Sequence, residues 1–293
     1  MRKSSAPDPL PSCPICGSET TAASFEKSGF RVFRCHDCKH RWIFPRPGAE
    51  ELLDIYDDGY FTRGGKYGAF NQQNISLSER HNDLWKLHFV TSHLDEGKLL
   101  DVGCATGTFL VDARTHGFDI EGIEPSEAAT DAARLQHGLE IRNDSFSSAH
   151  FGAQSFDAVT LWDVVEHLPD PVAAISKCND LLRPGGYLFL TTGDVSSRFA
   201  RIMGRRWHLL TPPQHVSFFS RRSLHLLLER CGFQMLQEVY PWKMVNLGMV
   251  LLKTGEALGL HGGRAETVGL RSKIARLPLY LNFFDIIAVA ARR

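Results

Sequence analysis

No apolar run in this 293-residue chain approaches the 18 residues that a membrane-crossing helix needs. The N-terminus, Met1-Arg-Lys-Ser-Ser-Ala-Pro-Asp-Pro, carries no apolar stretch behind its basic start. It does not read as a secretory signal, and the cytoplasm is the expected compartment. Net charge is also missing, with 33 Lys+Arg against 33 Asp+Glu. A 43% apolar and 23% charged composition argues against a disordered chain or a fibrous repeat. At roughly 100–200 residues per domain, the length suits one large domain with a small module, or two medium domains.

The zero balance hides an asymmetry. Residues 1–46 hold eight basic and four acidic residues, 196–230 hold seven and one, and 241–293 hold eight and three. An acidic middle flanked by basic segments points to anionic partners at the edges. Solvated charge without a partner explains any single segment equally well.

Cysteine is sparse but patterned. Four of the seven form Cys13-Pro-Ile-Cys16-Gly17 and Cys35-His-Asp-Cys38, with 18 residues between the pairs. Each two-residue gap lets one tight turn present two thiolates to one ion, and two such turns close a tetrahedron. Disulfides are the competing reading, disfavoured in a reducing compartment. Four thiolates leave no open position, so the expected Zn²⁺ is structural. Gly17 suits the first knuckle, whereas Lys39 holds the matching place in the second. Between the pairs, residues 25–34 read as a hairpin. Cys178 and Cys231 fall on apolar helix faces and read as core. The expected organisation is a zinc ribbon over 1–45, a linker and helical cap over 46–95, and an α/β domain over 96–293 with an inserted segment at about 242–280.

From Lys98 onward, strands and helices alternate. Strands are expected at Lys98–Val102, Phe118–Glu124, Leu139–Ile141, Phe156–Leu161 and Tyr187–Thr191, then at Gln234–Tyr240 and Phe284–Ala290. This order predicts a doubly wound, mostly parallel sheet with a ligand at the carboxyl ends of its strands. Gly103-Cys-Ala-Thr-Gly107 follows the first strand as a glycine-punctuated turn. Glu124, 21 residues after Gly103, closes the second strand and is placed to accept two ribose hydroxyls. Alone, that pattern would also suit a nicotinamide cofactor, but the turn is not G-x-G-x-x-G.

Five segments then carry a resemblance: Leu99-Leu-Asp-Val-Gly-Cys-Ala-Thr-Gly107, Gly122-Ile-Glu-Pro-Ser126, Ser155-Phe-Asp-Ala-Val159, Asp163-Val-Val-Glu-His167-Leu-Pro-Asp-Pro171 and Leu182-Arg-Pro-Gly-Gly186. Together they resemble the class I S-adenosylmethionine-dependent methyltransferases, with Ala105 where the commonest family turn has a middle Gly. A zinc ribbon on this core, with Pro212-Pro-Gln-His-Val-Ser-Phe-Phe-Ser220, looks like bacterial methyltransferases of sugar and polysaccharide biosynthesis. Gln214 departs from the Glu usual there. The core segments also resemble the ubiquinone-pathway O-methyltransferases.

The resemblance implies S-adenosyl-L-methionine as cofactor. Asp101, Gly103, Ala105 and Gly107 would line its methionine end, with Tyr60 reaching the carboxylate. Glu124 would hold the ribose, Asp144 and Ser145 would flank the adenine, and Trp162 and Asp163 would close the pocket near the sulfonium. Methyl transfer needs alignment and exclusion of water. A hydroxyl acceptor also needs a base, for which His215 leads, followed by His167 and then His208. Arg205 and Arg206 suit phosphate, and Trp207 could stack on a sugar. These features favour a small, sugar-containing anionic acceptor. A quinone-like lipid phenol comes second. A zinc-ribbon nucleic-acid binder comes third, weakened by the lack of a dense basic-aromatic stripe. The 242–280 insertion could lie on an anionic membrane face, pack on a partner copy or cover the substrate site.

Overall fold

A computed structural model describes residues 10–48, 51, 77–248, 250 and 277–293. Tyr60 and most of the 242–280 insertion, including Arg271, Lys273 and Arg276, lie outside the described residues.

The main sheet holds seven strands: β4 (Lys98–Val102), β5 (Asp119–Glu124), β6 (Arg142–Asn143), β7 (Phe156–Trp162), β8 (Leu182–Gly193), β10 (Gln234–Val239) and β13 (Ile286–Arg292). Their order is β10-β13-β8-β7-β4-β5-β6. β4, β5, β6, β7 and β8 pair in parallel. β13 is antiparallel to both β8 and β10. The expected α/β, mostly parallel architecture is therefore present.

Two details differ from expectation. Leu139 and Ile141 are buried side chains on the approach to β6, and pairing with β5 begins only at Arg142. The last strand, which comes after β10 in the chain, is not at the sheet edge. It inserts between β8 and β10, where Ile287–Ala291 are buried on both faces.

Strand alternation divides the interior. Leu99, Phe189, Ala288 and Ala290 face one cluster with Phe89, Phe109 and Ala113. Leu100, Leu188, Leu190 and Val289 face the other with Ile175, Cys178 and Leu224. That period of two is what a sheet covered on both faces requires. Helix α1 (Leu77–Thr91) and α2 (Thr108–His116) lie on the first side, with α3 (Glu127–His137) beside β5. α4 (Pro171–Leu181) and α6 (Arg221–Arg230) cover the second side, and the short α5 (Arg198–Met203) precedes the 204–216 loop. In α6, Leu224, Leu227 and Leu228 recur at i, i+3 and i+4 and are fully buried, each contributing about 1.5–3 kcal/mol. Capping fixes the helix starts. Ser126 accepts from Ala129 N, Asp170 accepts from Ala173 N beside Pro171, and Ser220 with Ser223 forms a capping box.

A second sheet orders β1 (Thr21–Lys27), β2 (Phe30–Cys35), β3 (Arg41–Phe44) and β9 (Ser217–Phe218). β1 and β2 form the expected hairpin, and β9 brings the 212–220 stretch onto the edge of the cysteine-bearing strands. β11 (Lys243–Asn246) pairs with β12 (Pro278–Leu281), bracketing the insertion. Among the described residues, no helix is long and apolar enough to cross a membrane.

Candidate active site

The carboxyl ends of β4, β5 and β7 meet at one place. After β4 the chain turns sharply, with Gly103 at φ 67°, Ala105 at 48° and Gly107 at 75°. A Cβ on Gly103 would stand 2.8 Å from Val164 Cγ2, and one on Gly107 would stand 2.5 Å from Leu139 Cδ1. Both positions therefore require glycine. Ala105 accepts the left-handed conformation at a cost of about 1 kcal/mol.

Glu124 secures this turn from the neighbouring strand. Ala105 N donates to its Oε2 and Ser126 N donates to its Oε1, each at 3.0 Å. The carboxylate is 4% exposed. Desolvation raises its pKa, against the pull of these two amides. Each oxygen keeps a second lone pair for a ligand hydroxyl.

Asp101 lies behind the turn, buried, with Thr160 Oγ1 donating to Oδ1 at 2.6 Å. Desolvation pushes its pKa up to about 7, although Thr160 and Lys86 pull the other way. Lys86 comes from α1. Its Nζ is 3.1 Å from Asp83 Oδ1 and 5.9 Å from the Trp162 ring centre. Burial works against this ammonium, yet Asp83, Asp163 and Asp101 hold its pKa above the usual value. Thr108 Oγ1 donates to Asp83 Oδ2, tying α1 to the start of α2. Trp162 is buried and meets Phe109 edge-on at 5.4 Å. Asp163, at φ 57°, accepts from Thr191 Oγ1 and faces Lys243 Nζ at 3.6 Å. Desolvation raises its pKa, but Lys243 and Lys86 outweigh that and leave it lowered.

Beyond Asp163, a 3₁₀ turn (Val165–His167) presents Glu166 and His167. Glu166 is 4% exposed, and Thr192 Oγ1 donates to its Oε2 at 2.9 Å. Desolvation, then Asp163, pushes its pKa up to about 8. His167 and His215 stand ring to ring at 4.5 Å. Their Nδ1 atoms donate to the carbonyls of Gln214 (2.9 Å) and Leu209 (2.7 Å). Desolvation lowers both pKa values, that of His215 to about 3, so both rings are neutral near pH 7.

Residues 76–238 match a family model described as a methyltransferase domain. The chain belongs to this methyltransferase family.

The curated relatives are partial matches. The ubiquinone biosynthesis O-methyltransferase of Paraburkholderia phymatum is 28% identical over 138 residues, which is 44% of this chain and 60% of the relative. That of Aromatoleum aromaticum is 36% identical over 101 residues, 32% of this chain and 43% of the relative. Among solved structures, the cyclase SpnF has a TM-score of 0.52 at 20% identity, covering 85% of this chain and 98% of its own. A SAM-dependent methyltransferase from Archaeoglobus fulgidus has 0.51 at 15%, covering 73% and 94%. At such identities the structural likeness shows the fold alone. The chain spans only 60% and 43% of the length of the two curated relatives named above.

In this methyltransferase, Asp101, Gly103, Ala105, Gly107, Glu124, Trp162 and Asp163 converge at the strand ends. Asp144 and Ser145 stand apart at the end of β6 in a local turn. There Asp144 accepts from Ser148 Oγ and Ser145 N and pairs with Arg142 at 3.2 Å. Arg205 and Arg206 are exposed, and the Arg205 guanidinium lies 5.1 Å over the Phe25 ring. Trp207 sits otherwise than a sugar-stacking platform would. It is 2% exposed, with its indole N–H donated to Asp285 Oδ2 at 2.8 Å. His208 Nδ1 lies 3.7 Å from the same Asp285 oxygen.

Sequence reading missed Asp83, Lys86 and Glu166. An i, i+3 charged pair on the helix that also buries Phe89 and Val90 was the available signal for the first two.

Cys13, Cys16, Cys35 and Cys38 bring their sulfurs within 4.8 Å of one another, with closest approaches of 3.5 Å and 3.6 Å. All four are free thiols. A tetrahedron of Zn–S bonds near 2.3 Å implies sulfurs about 3.8 Å apart, so the donor set fits. Lys39 takes φ 65° where Gly17 takes 73°, so the second knuckle keeps its shape without glycine.

Proposed function

We propose that this methyltransferase transfers the methyl group of S-adenosylmethionine to a hydroxyl of a small phenolic acceptor of the quinone-precursor kind. One juxtaposition carries the reading. The Glu124–Ala105 cradle closes β4 and β5, and the Glu166–His167–His215 cluster follows the adjacent β7. The names of the curated relatives support the acceptor class. The burial of Trp207 weakens the sugar reading.

In this proposal Glu124 accepts the ribose hydroxyls, and Asp144 and Ser145 flank the adenine. The backbone of Gly103, Ala105 and Gly107 lets the methionine end approach. Asp101 and Asp163 favour its ammonium, and Lys86 favours its carboxylate. Trp162 excludes water from the sulfonium. The acceptor hydroxyl would sit beside the cluster, with His215, then His167, as the base, although burial lowers the basicity of both. When bound, S-adenosylmethionine would supply an electrophilic methyl group with a neutral thioether as leaving group, and the imidazole would take the proton of the hydroxyl that is methylated. The positive charge would leave sulfur and end on the imidazole, so an aligned site that excludes water is what the protein supplies. Cys13, Cys16, Cys35 and Cys38 hold a structural Zn²⁺ in a ribbon over 1–45. Of the expected linker and cap over 46–95, helix α1 lies on the first side of the main sheet and residues 52–76 lie outside the described residues, and 96–293 would be the methyltransferase domain.

The exposed guanidinium groups of Arg205 and Arg206 favour a second reading, a nucleotide sugar or lipid-linked sugar acceptor. Labelled S-adenosylmethionine incubated with catechols, monophenols and sugar nucleotides, followed by mass spectrometry of products, separates the two. Label in a phenolic ether is expected. Label confined to sugars would transfer the proposal to the second reading, and no label in either class would sink both.

A further inference from the structure

We propose that Lys177 is a positioning residue for the adenine end of the cofactor: its ammonium sets the shape of residues 145–149 and, through them, the affinity for the adenosyl group. The inference rests on the reading that Asp144 and Ser145 flank the adenine.

The loop begins beside Glu124. Asn143 ends β6 and pairs with Glu124 across the sheet. Its side-chain amide donates to the Glu124 carbonyl at 3.1 Å and to the Pro125 carbonyl at 3.0 Å. The foot of the loop is therefore fixed to the strand that carries the proposed ribose acceptor. Beyond it, Ser145, Ser147 and Ser148 give the chain little shape of its own. Ser145 Oγ lies 2.6 Å from Ser147 Oγ, and Ser148 Oγ donates to Asp144 Oδ1 at 2.9 Å. Side chains of this kind offer the backbone several competing local bonds instead of one conformation. Ala149 N donates to Ser145 O at 3.0 Å and closes a single turn.

Lys177 supplies what the loop lacks. It belongs to α4, and its Nζ donates to the carbonyls of Phe146 (2.5 Å), Ser147 (3.4 Å) and Ala149 (2.5 Å). An ammonium has three N–H groups, and here each meets a carbonyl. Lysine on the free carbonyls of a turn is a capping arrangement. This cap comes from another helix, 28–31 residues further along the chain. The same charge lies 4.8 Å from the centre of the Phe146 ring and 6.0 Å from that of Phe151, within cation–π range. Phe146 is buried in the cluster that holds Ile175 and Cys178 of α4. One helix thus holds the loop twice, by an apolar contact and by a charge. The apolar contact anchors the loop, and the charge fixes where its backbone points.

S-adenosylhomocysteine and methylthioadenosine are the probes, titrated calorimetrically into the full chain. The second keeps the adenosyl group and lacks the amino-acid end. Lys177→Met should weaken both by a similar factor of at least fivefold. The KM for S-adenosylmethionine should rise by the same factor with whichever acceptor is turned over, while kcat changes less than twofold. Lys177→Ala should lose affinity likewise. Added propylammonium, which restores the missing chain and charge, should recover much of the loss, and uncharged propanol should not.

Exchange mass spectrometry of the unaltered chain separates this inference from the reading beneath it. S-adenosylhomocysteine should slow amide exchange at 145–149. No binding of either probe, or binding without that slowing, would remove the adenine from this loop and sink both. Slowing with unchanged affinity in folded Lys177→Met would overturn the role of Lys177 and leave the adenine placement standing. A loss confined to S-adenosylhomocysteine, or one that propylammonium repairs no better than propanol, would do the same. Failure of both variants to fold would make Lys177 a stability residue and overturn the role as well.

Discussion

Trp42 of β3 pairs with Ser217 of β9, two residues beyond His215. The cysteine-bearing sheet thus holds the loop that carries His215. Ile43 N donates to Val216 O at 3.1 Å, and Ser220 Oγ donates to the Cys38 carbonyl at 2.7 Å. Cys13, Ile15 and Trp42 also pack in the same cluster as Leu100 and Leu224. The small sheet is part of the body of the protein, about 40 residues that could hardly fold without a staple.

Metal removal should therefore reach the active site. Stripping zinc with a chelator, or replacing Cys38 with Ser, should unfold the N-terminal segment and leave the main sheet folded. Amide exchange should rise at 212–220, and turnover should fall at least tenfold. Exchange mass spectrometry with activity assays checks this. Protection at 212–220 unchanged after metal loss would show that β9 does not depend on the ribbon.

Glu124 accepts from Ala105 N and Ser126 N, and the proposed function adds the cofactor ribose to these partners. Glu124→Ala should weaken S-adenosylmethionine binding by about 1.5–3 kcal/mol, the range for a lost hydrogen bond to a charged group. Glu124→Gln keeps an acceptor for one of the two amides, so its loss should be smaller. Calorimetric titration measures both. Affinity unaltered in the Ala variant would remove Glu124 from the ribose role.

The legible parts of the sequence were those with local signals. Period-two apolar residues marked the strands of the main sheet. Gly103 and Gly107 marked the turn because a side chain there meets Val164 or Leu139. Glu124 stood out by its spacing from Gly103. What escaped notice is non-local. β9 is two residues long and has no strand signal of its own; it exists because β3 offers an edge. Trp207 looked like an exposed stacking group in an Arg-rich loop, but its partner Asp285 lies 78 residues away. Lys86 belongs to a helix whose apolar face is weak in sequence. Its neighbours Asp101 and Asp163 arrive from two different strands.

Asp101 predicts a pH dependence. Its folded pKa near 7 lies above the usual 3.8, so the folded chain binds more protons than the unfolded chain between those values. The stabilising contribution is full below about pH 3.8 and is lost as pH rises through about 7. Asp101→Asn removes that slope. Between pH 5 and pH 8, the unaltered protein should lose up to a few kcal/mol relative to the variant. Denaturant midpoints at the two pH values test this, and parallel curves would show that Asp101 titrates as an ordinary carboxylate.

Trp207 separates a packing role from a substrate role. Its indole N–H satisfies a buried Asp285 carboxylate, and its ring lies under the 204–216 loop with Val195, Leu210 and Val216. Trp207→Phe keeps most of the ring volume but leaves that carboxylate short of a donor. The expected cost is about 1–3 kcal/mol of stability, the desolvation penalty of an unsatisfied buried group. Once folded, the variant should keep the KM for every acceptor that is turned over. A KM raised tenfold for sugar nucleotides, with stability unchanged, would mean that the indole meets substrate and that the sugar reading is the better one.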